Sequence, residues 1–305
     1  MKYRVHANDR LSSEAFERLS SNPSIEASME HLEPEVLKEK VEEFDVLIVR
    51  SATKVTREII ERGKKLRIIA RAGVGLDNID LEAAKERNIK VLNTPGASAP
   101  SVAELTIGLM LAVSRHIPRG TMGLKEGKWE KKQLQGHELL GKTLGIIGFG
   151  NIGYEVAKRA KAFGMEIIAY DVVQNPRDLD VTFVDLDELF KRSDYITLHV
   201  PLNPQTKHLI NEESIKKMKD GVFIINAARG GVVDEKALYE ALISGKVKGA
   251  ALDVFEVEPP NDDLRMKLLA LDNVVATPHI GASTVEGQKR VGMEIVEKVI
   301  EELGV

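Results

Sequence analysis

The sequence predicts an α/β protein built on parallel sheets. Short apolar runs alternate with amphipathic helical stretches along nearly the whole chain, as βαβ units require. A G-x-G-x-x-G stands between one apolar run and the helical stretch that follows it. At 305 residues the chain exceeds one average domain, and two are expected.

The elements follow in order. Residues 45–49 (DVLIV) and 66–70 (LRIIA) read as buried strands, with a helical stretch over 56–62 that Gly63 closes. Residues 89–92 form another short strand, and Asn93-Thr94-Pro95-Gly96 after it is loop chemistry at a boundary. A helix over 102–115 leads into a charged segment around Trp129 that glycine and proline punctuate. A second series places strands at 143–148, 165–170, 195–200, 222–226, 249–252 and 274–276, with helices between. The last helix, 283–303, is nearly all charged or apolar at helical spacing.

Composition narrows the function. Lys+Arg number 43 against 47 Asp+Glu, a net charge of -4, so no basic excess exists to neutralise nucleic-acid phosphates. Hydrophobic residues at 43% rule out disorder as the dominant state. With no cysteine, disulfide frameworks, iron–sulfur clusters and cysteine nucleophiles drop out, and no metal site is expected. The first residues lack the apolar core of a signal peptide, and no window approaches the roughly 20 apolar residues of a membrane span. A soluble, cytoplasmic protein acting on a small molecule is the expectation.

Within the glycine motif, Gly148 permits a tight turn, Gly150 lets backbone approach a pyrophosphate, and Gly153 lets helix pack on strand. Asn151 and Ile152 offer amides at a helix N-terminus, where the dipole favours an anion. Asp171 ends the next strand, where a carboxylate accepts ribose hydroxyls and repels a 2′-phosphate. NAD rather than NADP follows, with Arg177 the nearby cation that runs against it.

Reduction of a ketone by hydride leaves negative charge on oxygen, so the site needs a proton donor and a cation. Of seven histidines, His199 and His279 both follow apolar strands, at the carboxyl edge where ligands gather in open α/β sheets. The residues alone leave both in play. Arg229 follows the strand at 222–226, and Glu256 and Glu258 follow the strand at 249–252. His6, His31, His116, His137 and His208 read as packing or surface residues.

These motifs together resemble the D-isomer-specific 2-hydroxyacid dehydrogenases, in particular the branch that oxidises 3-phosphoglycerate. The matching stretches are Val49 to Thr56, ARAGVGLDNID from Ala70, Asn93-Thr94-Pro95, Ser101 to Leu105 and the glycine motif. NAARGGVVD from Asn226, Leu252-Asp253-Val254-Phe255 and PHIGAST from Pro278 continue the match in order. The resemblance implies two Rossmann-like domains: a discontinuous outer, substrate-binding domain of residues 1–94 and 283–305, and an NAD-binding domain of 95–282. Closure would bring Arg50 and Gly75 towards Arg229 and His279. It implies catalysis by Arg229, Glu258 and His279, with His199 second. Val74, Val200, Ala227, Ala228, Asp253, Gly281 and Ala282 join Arg229, His279 and the glycine loop as cofactor contacts.

The substrate implied is 3-phospho-D-glycerate, oxidised with NAD to 3-phosphooxypyruvate at the entry to serine synthesis. Arg50, Ser51, Arg71, Val74, Gly75 and Lys131 would contact it beside Arg229 and His279, Lys131 from the partner in a homodimer formed through the NAD-binding domain. Glyoxylate or hydroxypyruvate reduction is the alternative, and a non-catalytic NAD-sensing, corepressor-like protein a more distant one. Val257 departs from an often more acidic stretch, and the regulatory C-terminal domains of longer members are not expected.

Overall fold

The computed structural model describes residues 2–305. The chain forms two compact units: residues 1–99 with 282–305, and residues 100–281.

The first unit holds a parallel sheet of five strands in the order β2-β1-β3-β4-β5, with β1 Tyr3–Ala7, β2 Ile25–Met29, β3 Val46–Val49, β4 Ile68–Arg71 and β5 Lys90–Asn93. All four residues of β3 are buried, and its Val and Ile side chains suit a sheet covered on both faces. On one face the helix Val285–Leu303 packs Val291, Ile295, Val296 and Val299 against Val5, Ile48 and Ile68. Thr284 Oγ1 accepts from Gly287 N at 2.9 Å to start that helix, and Gly304 ends it at φ 69°.

Strands β1 and β2 are absent from the sequence reading. β1 carries His6, which is buried, stacked on Phe44 at 4.5 Å and bonded to Ser28 Oγ at 2.8 Å. β2 is an edge strand in which Ile25, Ala27 and Met29 alternate with Glu26 and Ser28 and face the core. The junction between the units falls after residue 99 rather than 94. Ala97 still lies in the first core, and Arg290 Nε donates to its carbonyl at 3.0 Å.

The second unit holds a parallel sheet of seven strands in the order β12-β11-β10-β9-β6-β7-β8. Its strands are β6 Thr143–Ile147, β7 Glu166–Tyr170, β8 Thr182–Phe183, β9 Tyr195–Leu198, β10 Val222–Asn226, β11 Val247–Leu252 and β12 Val274–Ala276. The chain runs outward from β6 to β8, then returns to β9 on the other side of β6. That reversal is the topological switch point where open α/β sheets bind ligands.

Register aligns the strand ends. Tyr170, Ile147, Leu198, Asn226, Leu252 and Ala276 pair across the sheet in one row. The residues that follow them therefore emerge at one edge: Asp171, Gly148, His199, Ala227, Asp253 and Thr277. Ahead of the charged segment around Trp129 lies a helix that the sequence did not suggest, Ile117–Lys125, in which Pro118 occupies the first turn and lacks no needed donor.

Candidate active site

The glycine loop has the shape each glycine predicts. Gly148 sits at φ 96°, and a Cβ there would lie 2.6 Å from the His199 carbonyl oxygen. A Cβ on Gly153 would meet the Gly148 carbonyl oxygen at 2.2 Å, so helix Asn151–Ala162 can approach β6 only through glycine. Gly150 faces open space and contributes no side chain to cap that helix. Its N-terminal amides are thus presented across a gap that a Cβ would narrow, a cradle that fits a dinucleotide pyrophosphate.

Asp171 leaves β7 beside this loop. Its Oδ2 accepts from Phe149 N at 2.6 Å and its Oδ1 from Val173 N at 3.0 Å. Each carboxylate oxygen keeps a lone pair for another donor. Arg177 lies over the Tyr154 ring at 4.5 Å and donates to Asn151 Oδ1 at 2.9 Å. Val200 is half-buried next to His199, and Ala227 and Ala228 are buried after β10.

Three adjacent strands, β10, β11 and β12, bring Arg229, Glu258 and His279 to the same edge. Asn226 shapes the first loop: its Oδ1 accepts from Ala228 N at 3.1 Å and its Nδ2 donates to Arg229 O at 2.9 Å. Arg229 Nη1 donates to Ala228 O at 2.7 Å. Glu258 Oε1 accepts from Phe255 N at 3.1 Å, and Glu258 Oε2 lies 2.8 Å from His279 Nδ1. A carboxylate on Nδ1 fixes the imidazole tautomer and leaves Nε2 to carry a transferable proton. Both side chains are partly exposed at that edge.

His279 has φ 52°, a left-handed conformation unusual for a non-glycine residue. Asp253 enforces it. The Asp253 carbonyl accepts from His279 N at 2.8 Å. Its buried carboxylate accepts from Thr277 Oγ1 at 2.6 Å and from the amides of Ile280 and Gly281, each at 2.8 Å. Sequence reasoning placed Asp253 against cofactor, and missed this grip on the histidine loop. Gly281 is buried and Ala282 exposed.

His199 has a different environment. Its Nε2 is 2.9 Å from Thr197 Oγ1, while Nδ1 is sealed from solvent with no partner among the described residues. Burial pushes the imidazole down to about 3, so it carries no acidic proton near neutrality.

In the first unit, Arg50 and Ser51 follow β3. Asp9 Oδ2 accepts from Arg50 N at 2.5 Å and Oδ1 from Thr53 Oγ1 at 2.8 Å, while Asn78 Nδ2 donates to Arg50 O at 2.7 Å. Asp9 and Asn78, unremarked in the sequence, set that loop. Arg71 ends β4 with its guanidinium over the following turn: a Cβ on Gly73 would fall 1.4 Å from Arg71 Nη1. Val74 and Gly75 are half-buried, and Asn93 Nδ2 donates to Val74 O at 2.7 Å. Lys131 is exposed in a turn of the second unit.

A dinucleotide cradle and an acid–base–cation set on one sheet edge define a nicotinamide-dependent oxidoreductase. Residues 107–281 match the family model "D-isomer specific 2-hydroxyacid dehydrogenase, NAD binding domain". The chain belongs to the D-isomer specific 2-hydroxyacid dehydrogenase family. It is 67% identical over 304 residues to a hydroxypyruvate reductase of Thermotoga maritima, covering 100% of this chain and 99% of that one. It is 53% identical over 300 residues to a D-3-phosphoglycerate dehydrogenase of Methanocaldococcus jannaschii, covering 97% of this chain but 56% of that longer one. Among solved structures, the D-lactate dehydrogenase of Aquifex aeolicus complexed with NAD and lactic acid matches with a TM-score of 0.86 at 34% identity. That match covers 99% of this chain and 95% of that one.

Proposed function

We propose that this enzyme interconverts hydroxypyruvate and D-glycerate with NAD(H). The observation that carries the chemistry is the 2.8 Å pair of His279 and Glu258 on the edge that also holds Arg229 and the glycine loop. The choice of substrate rests on the Thermotoga relative, matched along its whole length.

When bound, NADH supplies the hydride taken by the carbonyl carbon. Arg229 binds the substrate carboxylate and polarises the carbonyl oxygen, fixing which face is offered. His279 gives its Nε2 proton to that oxygen as negative charge builds. Glu258 holds the ring in place and stabilises the imidazolium that supplies the proton. In the oxidation direction His279 takes the hydroxyl proton back.

Asp171 sets cofactor choice in this reading, through hydrogen bonds to the ribose and repulsion of a 2′-phosphate. Asp171→Ala is expected to narrow the NAD-over-NADP preference in kcat/KM by about tenfold or more. An unchanged ratio contradicts the role.

The phosphorylated pair, 3-phosphoglycerate and 3-phosphooxypyruvate, is the second reading. Arg50 and the Methanocaldococcus relative favour it. It ranks second because relatives of that name share about half their length with this chain, and because Arg71 is engaged over its own turn. Following NADH absorbance with hydroxypyruvate and 3-phosphooxypyruvate decides between them. A kcat/KM at least about tenfold higher for hydroxypyruvate, roughly 1.4 kcal/mol, is the expected result. A preference for the phosphorylated acid that falls in Arg50→Ala installs the second reading.

A further inference from the structure

We propose that Arg265 is a positioning residue for Glu258, acting through Glu235 and the backbone of Glu256. The proposal rests on the reading of Glu258 as the partner of His279.

Glu258 stands on an irregular loop after β11, so its position depends on what grips that loop. Two consecutive amides are held from opposite directions. Phe255 N donates to Glu258 Oε1 at 3.1 Å, and Glu256 N donates to Glu235 Oε1 at 2.8 Å. Glu235 begins the helix Glu235–Ser244 and is buried, with 3% of its side chain exposed. Burial raises the pKa of this carboxyl and favours its neutral form, which accepts less strongly. The charge of Arg265 opposes that effect, its Nε lying 2.7 Å from Glu235 Oε2 as an ion pair without hydrogen-bond alignment.

Arg265 is nearly as enclosed, on helix Asp263–Leu269, and its fork spans the loop. Nη1 pairs with Asp262 at 2.5 Å and Nη2 reaches Glu256 Oε2 at 3.5 Å. His208 Nε2 closes the outer side against Glu256 Oε1 at 2.7 Å. The two Nη groups hydrogen-bond Asp262 and Glu256 in fixed directions while the same cation faces Glu235, a spread that a lysine point charge cannot reproduce. Buried ion pairs contribute little net stability after desolvation, so holding one geometry is the better account of this cluster.

The test separates position from stability. Arg265→Met alone leaves Glu235 buried and unpaired, which is destabilising. The charge-balanced double variant Arg265→Met/Glu235→Gln removes that defect and retains an acceptor for Glu256 N. It is expected to melt near the wild-type Tm, with kcat lowered about tenfold or more and KM for NADH within about twofold of wild type. Arg265→Lys is expected to recover part of the rate. Glu258→Gln, assayed in parallel, shares the loss of kcat at unchanged KM for NADH. A folded double variant with wild-type kcat overturns the role of Arg265. Wild-type kcat in Glu258→Gln overturns the reading of Glu258, and the inference with it. Should the double variant not fold, a fully active Arg265→Lys overturns the proposal and an intermediate kcat supports it.

Discussion

His279→Ala is expected to lower kcat for hydroxypyruvate reduction by about 10²–10⁴-fold, the usual contribution of a positioned general acid. The variant loses the Nε2 proton and leaves Glu258 with an uncompensated charge towards the substrate oxygen. Asp253 still receives Thr277, Ile280 and Gly281, so the loop keeps its course and the effect is chemical. His199→Ala is the control. An imidazole held down to about 3 by burial cannot donate a proton near pH 7, so its removal should spare the chemical step. Steady-state kinetics of the two variants side by side check this, and a larger kcat loss in His199→Ala would exchange their roles.

Gly230→Ala is expected to lower kcat by about 10²-fold with a single methyl group, because a shift near 1 Å in catalytic geometry costs about that much. A Cβ on Gly230 would fall 1.9 Å from the Phe255 carbonyl carbon, 2.0 Å from its oxygen and 2.3 Å from Glu256 N. All three are backbone atoms, so no rotamer change relieves the clash. Gly230 adjoins Arg229, and Phe255 donates to Glu258. The methyl group therefore drives the cation and the His279–Glu258 pair apart. The glycine loop follows a different strand, so KM for NADH should stay within about threefold. Wild-type kcat in a folded Gly230→Ala would show that these loops have slack.

What the sequence reveals is what local chemistry dictates. Gly148 and Gly153 are legible because turn and close approach each require glycine within a few residues. The apolar runs at β3 and β6 are legible because both faces of those strands are covered. β1 and β2 were missed although both alternate, because five residues with three apolar side chains each give a short signal beside the continuous apolar runs of central strands. Arg229, Glu258 and His279 become distinct from ordinary surface charges through the resemblance, then through a register that ends three strands together. The Glu235–Arg265–Glu256 cluster is invisible in sequence: its members belong to two helices and a loop, and singly each reads as a surface ion. His199 and His279 look alike in sequence, and burial separates them.

That His279 moves a proton while other residues hold the nucleotide can be tested, both halves at once, in one variant. NADH is titrated into His279→Ala, and single-turnover reduction of hydroxypyruvate is followed on the same preparation. A Kd for NADH within about threefold of wild type and a single-turnover rate lowered about 10²-fold or more are expected. Equal losses of NADH affinity and of rate, or an unchanged rate, would contradict it.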